Sequence, residues 1–432
     1  MPQQSADGLV RAIGRWSLTA LIINSIVGSG IFGLPSVVAG LTGRASVWAV
    51  LLAGLAVGVI VACFAEVASH FIEAGGPYLY AREAFGRLMG IETGWLLWLA
   101  RLTAPAANAD LFVLYLGEFW PQARNPLPRF VILTLLVGIL AAINLRGVRT
   151  GTQVNNFFTA AKLLPLAIVA VAGVFFLAAG HGETTTAQPA AGASAWLKAI
   201  LLLVFAYGGF ETALTPMSEA RNPRRDAAFG LFAALATCTL LYTAIQWAVV
   251  GLLANPAHSE RPLSDVARLI FGPAGSIFVA IGALVSVYGY LGANMLAVPR
   301  ITFALAEQRD FPSIFAAIHP RFRTPYFSIL VFALFTWLLA ILGSFAWNVT
   351  LSAVARLFYY GVACAALPML RRRQPGGAVF RLPAGNIFAV LGVVICLVLA
   401  TRLDHKGSLI LLATIAVAFV NWLWVRGAPA PV

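Results

Sequence analysis

Gly28-Ser29-Gly30 stands in the middle of an apolar stretch from Leu18 to Ala39. Tyr207-Gly208-Gly209 stands in a second one, from Trp196 to Met217. Glycine weakens a helix by roughly 1 kcal/mol relative to alanine, and Pro35 follows the first triplet. Both stretches are therefore expected to unwind at these points. Unwinding frees backbone N–H and C=O groups, and in an apolar medium each unsatisfied one is costly. The N-terminus of a half-helix carries partial positive charge and suits a carboxylate; freed carbonyls suit an ammonium. A zwitterionic α-amino acid offers both. Gly28, Ser29 and Gly30 would then hold the carboxylate, and Gly28 and Gly30 must stay small for it to approach. The carbonyls of Phe205, Ala206 and Tyr207 would hold the amino group. The alternative is that these glycines only let helices pack closely; two matched breaks favour binding.

Among the charged residues inside apolar stretches, three could carry chemistry. Lys162 lies about ten residues into its segment, roughly 15 Å from the end at the α-helical rise. Either it releases and takes protons, since burial disfavours its charge, or it stays protonated and bridges the first and eighth segments. Arg101 lies about 12 residues into the third segment, near mid-depth, where an arginine is a functional hypothesis by default. Glu211 lies beside the second break and could sense protons. Asp110 comes nine residues after Arg101, so it faces nearly the opposite side of a helix and is not Arg101's partner.

The elements that must position these groups are membrane helices. The chain is 60% hydrophobic and 10% charged, with mean hydropathy +0.87, against about 25% charged in soluble domains. A span needs about 20 mostly apolar residues. Twelve such segments are expected, near 17–40, 46–69, 89–117, 130–146, 153–179, 196–217, 228–254, 274–304, 325–344, 348–370, 386–402 and 407–425. No further folded domain and no cleavable signal peptide are expected. With a cytoplasmic N-terminus, the cytoplasmic loops hold 17 basic residues against 7 outside, so both termini are expected there. The broken segments are the first and sixth, which implies a five-span repeat. Five is odd, so the two repeats, roughly 17–179 and 196–370, must be inverted. Segments 386–425 are extra.

Composition also removes candidates. The net charge of +13 reflects loop arginines rather than a nucleic-acid partner; Arg371-Arg372-Arg373 fixes topology. The four cysteines (Cys63, Cys238, Cys364 and Cys396) fall in apolar segments and read as core residues. The five histidines (His70, His181, His258, His319 and His405) lie in or next to loops, so no catalytic set is expected within the spans and the chain is not read as an enzyme. A channel would need a continuous polar pore, and a receptor a soluble signalling domain.

Four motifs carry a resemblance. The first is Ile26-Val27-Gly28-Ser29-Gly30-Ile31-Phe32-Gly33-Leu34-Pro35. The second runs from Glu66 through Glu73-Ala74-Gly75-Gly76-Pro77-Tyr78 to Gly86. The third is Phe205-Ala206-Tyr207-Gly208-Gly209-Phe210-Glu211, followed by Glu219-Ala220-Arg221-Asn222-Pro223-Arg224-Arg225-Asp226. The fourth runs from Pro299-Arg300 through Asp310-Phe311-Pro312 to Thr324-Pro325. In this order, across all twelve segments, they resemble the amino acid–polyamine–organocation superfamily of permeases, which have the leucine-transporter fold.

The resemblance implies an all-α integral membrane protein forming a single permease domain over 1–432. It implies a secondary transporter that moves amino acids across a bacterial-type inner membrane by alternating access, without cofactor or metal. Proton symport of neutral amino acids is expected; exchange, or acidic substrates held by Arg101, are the alternatives. It places the substrate against Ile26 to Ile31 and against Phe205 to Gly208, with Phe205 closing over it as a gate. Arg101 and Asn294 fall at pocket-lining positions. Lys162 matches a lysine of proton-coupled members. No heavy-chain partner is implied, because no loop cysteine is available to bridge to one. Arg101 cannot deprotonate and would repel a cationic side chain. Paired with Glu211 it would admit neutral substrates; free, it would prefer acidic ones. The pair is the expectation, because an unpaired buried arginine is costly.

Overall fold

The computed structural model describes residues 14–71, 75–147, 152–182, 191–214 and 222–426, with the side chains of 152–161, Ala213 and Pro223 excepted. Arg11, Glu73, Ala74, Arg149, the loop Thr184 to Thr186 and the stretch Met217 to Arg221 lie outside the described residues.

Helices make up the fold, and no strand occurs among the described residues. In chain order they are α1 (Arg15–Ile26), α2 (Ser29–Thr42), α3 (Ser46–Ser69), α4 (Gly76–Phe85), α5 (Arg87–Leu116), α6 (Pro126–Arg146), α7 (Thr152–Ala178) and α8 (Ala193–Tyr207). Then follow α9 (Phe210–Ala213), α10 (Pro223–Leu252), α11 (Pro262–Phe271), α12 (Pro273–Glu307), α13 (Tyr326–Leu342), α14 (Phe345–Arg373), α15 (Gly385–Ala400) and α16 (His405–Val425). Each apolar segment of the sequence falls on one of these helices or, for the first and sixth, on a pair. Among the described residues seven helical stretches are long and apolar enough to cross a membrane. The short helices α4 and α11 lie between the apolar segments and were not expected.

The chain leaves helical geometry where the glycines stand. At the end of α1, Val27 N–H still donates to the Ile23 carbonyl at 2.9 Å. Val27 (φ −70°, ψ 100°) and Gly28 (φ −132°, ψ −153°) are then extended. The first break thus lies at Val27 and Gly28, at the front edge of the triplet, and Ser29 and Gly30 already belong to the first turn of α2. In the second break Gly208 is extended (φ −73°, ψ 161°) and Gly209 takes φ +114°, a region where only glycine is unstrained.

The helices pack around these breaks. α2 lies along α8, and α1 lies along α10 and α9. α5 runs along α14 and α12, with α7 against α10 and α12. Phe210 of α9 stacks on Tyr360 of α14 and meets Phe64 of α3 edge-on, which clamps the short half-helix between two long ones. α16 rests on α5 and exposes Leu409, Leu412, Val420 and Trp424, as a lipid-facing helix does.

Candidate functional site

The two breaks meet. A Cβ placed on Gly209 would lie 2.2 Å from the Ser25 carbonyl oxygen, and one on Gly30 would lie 2.8 Å from the Ala206 Cα. The unwound corners are therefore stacked backbone on backbone. Beside them is a cavity of about 160 Å³, walled by α1, α2, α5, α7, the second break, α12 and α14. That is room for about five waters.

The polar groups on this cavity fall into two sets. One set is already satisfied by the protein. Lys162 Nζ donates to the Asn24 carbonyl and, at 2.7 Å, to the Val27 carbonyl, so a built-in ammonium occupies the carbonyls freed at the end of α1. Tyr242 Oη donates to the Ala206 carbonyl at 3.1 Å and to the Ile26 carbonyl at 3.3 Å, tying one break to the other. The Phe205 carbonyl accepts from Gly208 N–H at 3.2 Å. The expected ammonium site on the second break is thus largely engaged. The other set has no partner: Asn24 Oδ1, Ser29 Oγ, Asn108 Oδ1 and Arg356 Nε are all sealed from solvent without a hydrogen bond, and all four residues line the cavity. A buried polar group left unsatisfied costs about 1–3 kcal/mol, so a ligand supplying donors and an acceptor here relieves that cost.

The charges are arranged differently from expectation. Glu211 does not pair with Arg101. Its Oε1 accepts from Arg356 Nη1 and, at 3.0 Å, from Tyr359 Oη. Its Oε2 accepts from Tyr360 Oη and from Gly209 N–H, both at 2.9 Å. The carboxylate caps the N-terminus of α9, so its geometry is set by that short helix, and α14 brings it a cation. Arg101 Nη2 instead donates to Thr212 Oγ1, and among the described residues no carboxylate pairs with it. Asp110 pairs with Arg129 at 2.7 Å and lies 3.5 Å from Asn348 Nδ2, on the far side of α5 from Arg101, as the helical angle requires.

A second cavity, of about 590 Å³, is walled by α4, α5 and the last turns of α12. Arg101 lines both cavities. The buried ion pair also straddles the wall, with Arg356 on the first cavity and Glu211 on the second. Beyond it Asp310 gathers α4 and α5: it accepts from Arg82 at 3.1 Å and Arg87 at 2.8 Å, and from Tyr78 Oη.

Of the residues singled out from sequence, Ile26, Gly28, Ser29, Gly30, Arg101, Lys162, Phe205, Gly208 and Asn294 line the first cavity. Val27, Ile31, Ala206 and Tyr207 do not. Val27 gives its carbonyl to Lys162, Ile31 is buried, Ala206 packs on Gly30, and Tyr207 turns away to donate to the Val50 carbonyl at 3.1 Å. Lys162 bridges within the first break and has no hydrogen bond to the eighth segment. Asn24, Ser25, Asn108, Thr212, Ser286, Tyr290 and Arg356 also line the cavity and were not foreseen. Arg356 had a signal: a lone arginine inside an apolar segment, the feature that marked Arg101. The asparagines and Thr212 had none, because which face of a helix turns to a cavity depends on its neighbours.

The glycines also separate. Gly30 must be small because α2 touches Ala206, not only because a ligand approaches. A Cβ on Gly28 meets nothing nearer than the Ile26 carbonyl at 3.9 Å, so it points into open space beside the cavity. Gly28→Val should leave melting temperature nearly unchanged and cut ligand affinity by about tenfold or more, the expected loss when one or two hydrogen bonds to the helix end are blocked. Gly30→Val should lose both. Ligand titration alongside thermal melting checks this, and unchanged affinity in Gly28→Val would remove Gly28 from the site.

The sequence model of the amino acid permease family matches residues 13–420. The protein belongs to that family. The permease is 27% identical over 425 residues to the methylthioribose transporter of Bacillus subtilis, with 91% of this chain and 89% of the relative covered. It is 28% identical over 384 residues to a serine/threonine exchanger of Bacillus subtilis, covering 86% of this chain and 85% of the relative. An uncharacterised transporter of Mycobacterium bovis is 30% identical over 376 residues, covering 84% and 81%. The permease is therefore a multi-pass membrane protein of the amino acid–polyamine–organocation superfamily, and its relatives are transporters.

Proposed function

We propose that this permease carries α-amino acids across a bacterial-type cytoplasmic membrane by alternating access. Twelve spans, two inverted five-span repeats, two additional helices and cytoplasmic termini complete the reading. The observation that carries it is the small cavity between two stacked helix breaks, lined by buried polar atoms that lack partners. The first turn of α2 offers backbone N–H groups and Ser29 Oγ to a carboxylate. Asn24 Oδ1 and Asn108 Oδ1 offer acceptors to an ammonium, in place of the engaged carbonyls of the second break. Phe205, on the cavity wall, serves as the gate. The wall holding Arg101 and the Glu211–Arg356 pair separates the site from the second cavity, which lies on the cytoplasmic side in the proposed orientation.

Lys162 supplies the coupling in this reading. Protonated, it holds the Asn24 and Val27 carbonyls and so holds the end of α1 in place. On losing its proton it releases a grip on two carbonyls, which frees α1 to move relative to α7. Glu211 is the other candidate carrier. Exchange is the rival mode, because one relative is a serine/threonine exchanger.

The test is uptake of radiolabelled amino acids into proteoliposomes, with and without an inward proton gradient, with unlabelled amino acids and methylthioribose as competitors. Accumulation driven by the gradient is expected in the native protein. Lys162→Ala is expected to lose accumulation while keeping binding. Accumulation by that variant would move coupling to Glu211, and trans-stimulated uptake without any gradient effect would establish exchange. Competition by methylthioribose alone would overturn the amino acid reading.

A further inference from the structure

We infer that the cavity selects amino acids with an anionic side chain, and that Arg101 is the residue that selects them; this rests on the amino acid reading above. The argument begins with charge. Arg101, Lys162 and Arg356 line the first cavity. Among the described residues the carboxylate that answers them is Glu211, and it is committed to Arg356 with both oxygens fully engaged. Among the described residues Arg101 is left with one hydrogen bond, to a neutral hydroxyl, although it is only 7% exposed. The ground for neutral substrates was a direct pair with Glu211, and among the described residues that pair does not form: Glu211 acts on Arg101 only through space.

An arginine so placed is an unfilled receptor. Its guanidinium keeps its charge, and its planar fork matches a carboxylate through two parallel hydrogen bonds. It stands on α5, on a different wall from the first turn of α2. An α-carboxylate on α2 and a distal carboxylate on Arg101 therefore use two separate sites in one occupant. The volume agrees: room for about five waters suits aspartate or glutamate better than a bulkier side chain. Arginine, lysine and polyamines bring a cation beside Arg101 and are repelled. Glutamine and alanine leave the guanidinium unanswered, so they bind more weakly without being excluded.

The experiment is equilibrium binding to the purified full-length protein in lipid nanodiscs, with glutamate, aspartate, glutamine, alanine and arginine as probes. Glutamate or aspartate is expected to bind about 10- to 100-fold more tightly than glutamine, the range for a hydrogen-bonded charge. Arg101→Gln is expected to erase that ratio by weakening the acidic ligands far more than glutamine. Arg101→Lys, which keeps the charge but not the fork, is expected to retain part of it. The native ligand ranking decides even if a variant fails to fold. Glutamine or alanine binding as tightly as glutamate overturns this inference and leaves the amino acid reading intact. Arginine binding best overturns it likewise. No binding of any of the five overturns both.

Discussion

Arg356→Ala is expected to destabilise the folded permease by about 3–5 kcal/mol, the usual cost of removing one partner of a buried ion pair. The side chains of Arg356 and Glu211 are 4% and 1% exposed. Without the guanidinium, Glu211 keeps three hydrogen bonds, from Tyr359, Tyr360 and Gly209, but no ion-paired cation. The carboxylate also ends α9, so its discomfort is transmitted to the second break and to the cavity. Glu211→Gln is expected to destabilise for the converse reason, leaving Arg356 charged and alone. The double variant Arg356→Gln with Glu211→Gln removes both charges and should recover a large part of the loss. Melting of the purified variants in detergent measures all three. Strict additivity of the two single losses, or a native melting temperature in Arg356→Ala, would show that the pair does not hold α14 to the break.

Gly209→Ala is expected to cost about 2–6 kcal/mol, the sum of backbone strain at a left-handed position and overpacking. The strain comes from φ +114°. The overpacking comes from the Ser25 carbonyl, 2.2 Å from where the methyl would stand. That carbonyl is backbone of α1, so relief means separating the two broken helices and opening the cavity between them. Gly208→Ala provides the contrast. Its methyl would meet Arg356 Nη1 at 2.7 Å, a side-chain tip that can shift. It should cost less than Gly209→Ala, because a side chain rather than backbone gives way, but it strains the Arg356–Glu211 pair and lowers ligand affinity. Equal stability of Gly209→Ala and the native chain would mean that the breaks do not touch as described.

Local chemistry made much of this legible. Apolar segments mark helices wherever they occur in the chain, and the observed helices begin and end within a few residues of the expected ones. Glycine breaks a helix through its own backbone freedom, so both interruptions could be placed from Gly28 and Gly208-Gly209 without knowing what lay opposite. Asp110 could be separated from Arg101 by the helical angle alone. Even there the detail was tertiary. The first break is centred on Val27 and Gly28 because α2 starts at Ser29, where it packs on α8.

Partnerships were another matter. The sequence brings Glu211 and Arg101 into the same region, and their attraction looked like the natural pairing. In the folded protein Arg356, 145 residues away in sequence, reaches Glu211 because α14 passes beside the second break. Likewise, Lys162 could be recognised as buried but not as the ammonium that sits on the carbonyls of Asn24 and Val27. The sequence alone determined that this is a helical membrane protein with two unwound points, because hydropathy and glycine propensity act through each residue and its near neighbours, while its motifs carried the resemblance to permeases. Only the tertiary structure decided which charges neutralise one another and which arginine is left facing the cavity, because that depends on which helices lie side by side.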